Sequence, residues 1–188
     1  FSTSVPFTNL DIHSLNETTE KPIAQVIILI KIWEDYIKRN SENPNAAEKL
    51  IAIFDEAHLL LRYPEARALL VNMYKRIRKK NGGGITSTQE ITEFNKYDDA
   101  MSIITNAETK IIGKQDENLV KDVQEILNLT DSEAYATVTF DKQGQYLVKS
   151  RNNKVFIQSH LLDIERLAFE TNRQIIDKLR SAGTNRVS

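Results

Sequence analysis

The run Leu50-Ile51-Ala52-Ile53-Phe54 is five apolar residues without a break, and it stops at two acids, Asp55 and Glu56. A short continuous apolar run is the pattern of a strand buried on both faces of a parallel sheet, where crossover helices cover both sides. The flanking segments agree. Upstream, Ile23, Val26, Ile27, Ile30, Trp33 and Ile37 recur at helical spacing, which predicts an amphipathic helix over about Lys21–Lys38, with Pro22 near its first turn and Asn40 to Asn45, including Pro44, ending it. Downstream, Pro64 opens a helix to about Lys80, with Leu69, Leu70, Met73, Tyr74 and Ile77 on one side and basic residues at the end where they complement the helix dipole. Gly82-Gly83-Gly84 is expected to close that helix, and the β-branched Ile85-Thr86-Ser87-Thr88 to form the next strand.

A further helix is predicted over about Asp98–Asn106, a strand over Thr109–Ile112 and a helix over Asn118–Leu129. Strands alternating with helices imply βαβ units and a parallel sheet. Gln145–Ser150 and Lys154–Gln158, flanking Arg151-Asn152-Asn153, read as an antiparallel hairpin on the sheet's edge. Ile164–Leu179 is amphipathic again. The expected fold is therefore α/β: a mostly parallel sheet flanked by helices with a late antiparallel edge hairpin. Residues 1–162 form its main body, and 163–188 a terminal helix and frayed tail.

The chain's 188 residues suffice for a core without disulfide or metal staples. Cysteine is absent, which excludes thiol catalysis and Cys-based zinc sites and fits a reducing compartment. Lys and Arg number 25 against 26 Asp and Glu, so no bulk charge draws the chain to nucleic acid or an anionic membrane. The longest apolar stretch, Ile23 to Trp33, is interrupted by Gln25 and Lys31 and is shorter than the ~20 residues that cross a bilayer. The chain starts at Phe1, with no basic segment or cleavable apolar core behind it, and reads as part of a longer product.

Asp55 and Glu56 are the residues closest to chemistry. A buried parallel strand ending in Asp-Glu puts two carboxylates at the carboxyl edge of the sheet, where open α/β folds bind ligands. This is the form of a Walker B element, in which the Asp serves a magnesium ion and the Glu orients the water that attacks a γ-phosphate. A strand running into a loop that happens to be acidic has the same appearance. The next strand ends in Ser87-Thr88-Gln89, which would bring the Gln89 amide to the same edge as a γ-phosphate sensor, or simply cap a helix. Gly82–Gly84 is no phosphate loop, because no Gly-Lys-Ser/Thr follows and the order is helix, glycine, strand. With only His13 and His160 elsewhere, His58 supports neither a metal cluster nor a His-based triad. Lys75, Arg76, Arg78, Lys79 and Lys80 read as a solvated helix end that could touch nucleic acid or present an arginine to a neighbouring subunit, and Trp33 as a core residue.

In order and spacing these segments resemble the C-terminal part of the ATPases that power conjugative type IV secretion, the VirB-four-type family within the HerA–FtsK group of RecA-like motors. Val5 to Leu15 is similar to the family's extended segment and turn before a long apolar helix, here ending Ile32-Trp33-Glu34-Asp35-Tyr36-Ile37. Ile53 to Leu61 is similar to its Walker B, with His58 where many members carry Trp. Arg76 to Gly83 followed by Ser87-Thr88-Gln89 resembles its basic helix end, glycine turn and sensor strand, and Asn106 to Gln115 the strand after it. Leu127-Asn128-Leu129-Thr130 and Gly144-Gln145-Tyr146-Leu147 resemble a helix end and a late hairpin. The Walker A loop, Gly-x-x-x-x-Gly-Lys-Ser/Thr, is not among these 188 residues.

The resemblance implies a RecA-like fold and, in the full-length protein, ATP hydrolysis with Mg2+ that energises conjugative DNA transfer and secretion. It implies Asp55 at the metal, Glu56 activating water, Gln89 sensing the γ-phosphate and Gln115 as a second polar contact at the same edge. Arg78 is implied as a residue acting across a subunit interface, since motors of this group are hexameric rings. Other subunits of the secretion machinery would be its partners, in the cytoplasm or peripherally at the inner face of the cell membrane, with direct nucleic-acid contact left open. Without a Walker A loop, the isolated chain is expected to be inactive. Two other readings stand beside this one. Asp55-Glu56-Ala57-His58 with Ser87-Thr88 also fits a DEAH-box helicase core, although no Q-x-x-G-R-x-G-R element appears. A non-catalytic assembly module with a degenerate P-loop fold is the other.

Overall fold

The computed structural model describes residues 10–12, 14–16, 18–42, 49–162, 164–165 and 173–176. The segment at 5–9, Pro44 and most of the tail expected from residue 163 onward lie outside the described residues. Two compact units are present: 1–108 with 121–129, and 109–120 with 130–188.

The first unit opens with α1 (Glu20–Glu42). The turn leading into it is held by Asn16, whose Oδ1 accepts from the amides of Thr18 at 3.0 Å and Thr19 at 3.2 Å, while Glu20 Oε2 accepts from the Asn16 amide at 2.9 Å. The expected apolar stripe divides. Trp33 and Tyr36 are buried with Met73 and Ile77, whereas Ile23 and Ile27, one turn apart, remain exposed.

Next come β1 (Leu50–Phe54), α2 (His58–Leu61), α3 (Pro64–Ile77), a 3-10 turn over Arg78–Lys80, and β2 (Gly82–Thr86). β1 and β2 pair in parallel with Leu50 opposite Gly82 and Phe54 opposite Thr86, the expected βαβ unit. Two features differ from expectation. The glycines do not end the helix. Asn81 does, in the left-handed conformation at φ 64°, and the glycines are the first three residues of β2. A Cβ on Gly82 would lie 2.7 Å from Ile77 Cγ1, and one on Gly84 2.8 Å from Tyr74 Cζ, so α3 can lie against β2 only over bare backbone. A Cβ on Gly83, between them, would meet nothing within 4 Å. Tyr74 uses that space to hydrogen-bond Thr86 Oγ1, and burial raises its pKa.

The second difference is that β1 is covered on one face. Leu50, Ala52 and Phe54 pack into the core, while Ile51 and Ile53 are 69% and 67% exposed, as is Ile85 of β2 at 53%. Burial of one such side chain is worth about 1.5–3 kcal/mol, so the covered row is what holds the strand. Beyond β2, α4 (Thr92–Asn95) and α5 (Met101–Asn106) bury Phe94 and Ile103, and α6 (Val120–Leu127) buries Val123 and Leu127. Arg67 of α3 ties α2 and the α4–α5 loop together. Its Nη1 donates to Leu61 O at 2.8 Å, its Nε to Asp99 Oδ1 at 3.0 Å, and its guanidinium lies 4.1 Å from the centre of the Tyr97 ring.

The second unit contains β3 (Thr109–Ile112), α7 (Asp131–Thr139), β4 (Gln145–Ser150) and β5 (Asn153–Gln158). The expected hairpin is present, turning at Arg151-Asn152. β3, expected to continue the parallel sheet, pairs instead antiparallel with β4, giving the order β3-β4-β5. Leu147 is fully buried on this sheet, and Phe140 meets Phe156 edge-to-face at 6.2 Å. The sequence reading lacked α7, although its signal was available: Thr130 and Glu133 form a capping box, each side chain bonding the other's backbone amide. Lys154 of β5 reaches Glu133 at 2.7 Å.

Candidate functional site

The ladder between β1 and β2 continues past both strands. The Ser87 amide donates to Phe54 O at 2.8 Å, and the Ala57 amide donates back to Ser87 O at 3.1 Å. These two bonds bracket Asp55 and Glu56, which leave the strand as a tight excursion. Glu56 pays for the turn with φ 49°, a left-handed conformation costing a non-glycine residue on the order of 1 kcal/mol and frequent at functional sites.

The Glu56 carboxylate accepts a hydrogen bond at one oxygen and has a histidine beside the other. Gln89 Nε2 donates to Oε1 at 2.8 Å, and His58 Nδ1 lies 3.2 Å from Oε2. His58, the first residue of α2, is 6% exposed, and its Nδ1 is also 3.1 Å from Thr88 Oγ1. Thr88 Oγ1 in turn accepts from the Glu90 amide at 3.0 Å. Asp55 is exposed at the end of β1, with Oδ1 accepting from the Glu56 amide at 3.2 Å. Nearby on α4, the hydrogen bond from Lys96 holds the Glu93 carboxyl below its usual pKa.

Three expected site residues, Asp55, Glu56 and Gln89, therefore lie together at the carboxyl end of the parallel pair. Arg78 does not join them within the chain. It is exposed in the turn before Gly82, beside the opposite end of the strands, and four residue steps of about 3.3 Å separate those ends. Gln115 follows β3 of the antiparallel sheet, in the second unit. Its Nε2 donates to the carbonyls of Gly113 and Lys114 at 3.2 Å each. The approach of His58 Nδ1 to 3.2 Å from the Glu56 carboxylate was missed. Its signal was the Asp-Glu-Ala-His and Ser-Thr pairing, noted only as a helicase-like feature.

The residues present fit a magnesium ion held jointly with phosphate. Mg2+ is usually bound through one or two carboxylates plus substrate oxygens and water, and Asp55 offers one such carboxylate at an open strand end. No group of three or more His, Asp or Glu residues suited to a metal occurs among the described residues. No described helix is long and apolar enough to cross a membrane.

A βαβ unit whose first strand leads into Asp55-Glu56 and whose second leads through Ser87 into Thr88-Gln89, with a separate antiparallel sheet, makes this a mixed α/β protein. Residues 7–174 match the model of the TraG P-loop domain, and the chain belongs to that family. Among solved structures it is similar to VirB4 of Thermoanaerobacter pseudethanolicus, at 24% identity and a TM-score of 0.65. That likeness covers 79% of this chain and 40% of that one, so this chain spans less than half of the solved relative. The comparison with curated proteins gives no match. The family match favours the secretion resemblance over the helicase one.

Proposed function

We propose that this chain supplies the metal-holding, water-activating and phosphate-sensing side of an ATP-hydrolysing site in a conjugative type IV secretion motor. The carrying observation is the 2.8 Å contact between Gln89 and Glu56 across the ends of two parallel strands. It joins a carboxylate able to take a proton from water to an amide able to register what occupies the adjoining space. Asp55 would hold Mg2+, whose charge neutralises that developing on the phosphates. Glu56 accepts the proton of the attacking water as the new bond to the γ-phosphorus forms and the bond to the ADP oxygen breaks. Gln89, hydrogen-bonded to Glu56, is placed to pass the change in occupancy to β2 and the loop beyond it.

The phosphate-cradling amides and lysine of a Walker A loop would come from outside these 188 residues. Arg78, remote from Asp55 in its own chain, suits contact with a neighbouring copy in a ring. Partners would be the other subunits of the conjugation machinery, at the inner face of the membrane.

In the full-length protein, Glu56→Gln is expected to abolish magnesium-dependent ATP turnover while sparing ATP binding. Retained turnover removes Glu56 from this role. The 188 residues alone are expected to hydrolyse no ATP.

A further inference from the structure

We propose that Thr88 is the positioning residue of Gln89, setting the backbone from which the Gln89 amide reaches Glu56 through the two hydrogen bonds of its own hydroxyl. This deepens the hydrolytic reading above and rests on it. The backbone bonds between the strand ends stop at Ser87, whose amide donates to Phe54 O and whose carbonyl accepts from the Ala57 amide. Gln89 lies two residues further on and is exposed, yet its Nε2 donates to Glu56 Oε1 at 2.8 Å. Ordering a long side chain costs rotamer freedom comparable with what one hydrogen bond returns. The contact therefore depends on how firmly the backbone beneath Gln89 is held.

Thr88 does the holding. It is half-buried, as Gly84 and Thr86 are two and four residues before it, whereas Ser87 and Gln89 on either side are exposed. Its Oγ1 accepts from the Glu90 amide at 3.0 Å, closing a turn around Gln89 of the kind threonine hydroxyls make with the amide two residues on. The same hydroxyl shares a 3.1 Å hydrogen bond with Nδ1 of His58. One proton and two lone pairs allow both bonds at once, whichever end of the His58 contact carries the proton. His58 opens α2 and is 6% exposed, so the anchor is a ring fixed in the body of the first unit. The chain is thus tied before Gln89 to α2, and after it back to Thr88.

Valine has the shape of threonine and neither bond, alanine is smaller still, and serine keeps the hydroxyl. In the full-length protein, Thr88→Val and Thr88→Ala are expected to lower kcat by roughly tenfold with KM for ATP unchanged, within the hundredfold that misplacing a group by about 1 Å can cost. Thr88→Ser is expected to recover most of that loss. Because Thr88 acts through Gln89, adding Thr88→Val to Gln89→Ala should lower kcat by no more than about twofold further, whereas a role confined to folding would subtract equally in both backgrounds. Nitrogen-15 NMR of the 188-residue chain supplies a readout independent of turnover: the side-chain amide signal of Gln89 should move toward that of a free glutamine in Thr88→Val and stay in place in Thr88→Ser. Wild-type kcat in Thr88→Val, serine no better than valine, full additivity with Gln89→Ala, or an unmoved Gln89 amide signal in Thr88→Val would each overturn the proposal. A wild-type protein without ATPase activity would sink the hydrolytic reading instead, and the amide signal alone would then decide whether Thr88 positions Gln89.

Discussion

Gln89 donates to Glu56 at 2.8 Å although 33 residues separate them, and the bond exists because β1 and β2 run parallel and end level. In an antiparallel pair the two residues would sit at opposite ends of the sheet. Replacing Gln89 with Ala leaves the Glu56 backbone held by the Ser87 bonds but frees Oε1. In the full-length protein the expected result is a fall in kcat of roughly tenfold or more with ATP affinity retained, measured by steady-state turnover beside a nucleotide-binding titration.

The three glycines of β2 are not equivalent. Gly84→Ala would force a Cβ to within 2.8 Å of the Tyr74 ring and disturb its bond to Thr86, whereas Gly83→Ala enters open space. Overpacking of this kind costs about 1–3 kcal/mol, while alanine at an unobstructed position stabilises by about 0.4–1 kcal/mol. Thermal denaturation should rank Gly83→Ala at or above wild type and Gly84→Ala clearly below it.

Arg67 makes planar contacts that lysine cannot copy. Its reach to Leu61 O, Asp99 and the Tyr97 ring joins three segments of the first unit. Arg67→Lys keeps the charge but loses the fork, and a stability loss of about 1–2 kcal/mol is expected in chemical denaturation. A variant as stable as wild type would show these contacts to be idle.

Glu133 carries a pH dependence of defined sign. The Lys154 hydrogen bond, aided by the Thr130 backbone amide, lowers its pKa below the ordinary 4.5. A carboxyl depressed on folding adds stability that is fully present above the unfolded pKa and disappears as pH falls through the folded one. The stability gap between wild type and Glu133→Gln should therefore be constant near neutrality and close progressively below about pH 5, as followed by urea unfolding across pH.

Much of the fold was legible because it is written in local pattern. Leu50–Phe54, Thr109–Ile112 and Gln145–Ser150 are strands with the expected bounds, and Asp55, Glu56 and Gln89 meet where a parallel pair requires. What escaped depends on partners distant in sequence. Apolar runs do not name their neighbours, so β3, expected in the parallel sheet, pairs antiparallel with β4. Glycine reads equally as a helix stop or as room for a packed ring, and only the position of Tyr74 decides between them. His58 is set in the sequence against a metal cluster or a triad, and its place 3.2 Å from the Glu56 carboxylate becomes visible only once α2 folds back beside the strand end.

The isoleucines on the bare face of β1 and β2 bear on handling. Ile51, Ile53 and Ile85 form an apolar surface on strands whose outer edges have no partner among the described residues. That combination invites edge-to-edge addition of further copies, the route by which soluble chains become fibrils. The 188-residue chain is accordingly expected to have a concentration ceiling set by self-association rather than by unfolding, and its shelf life to shorten with each concentration step even where its melting temperature does not change.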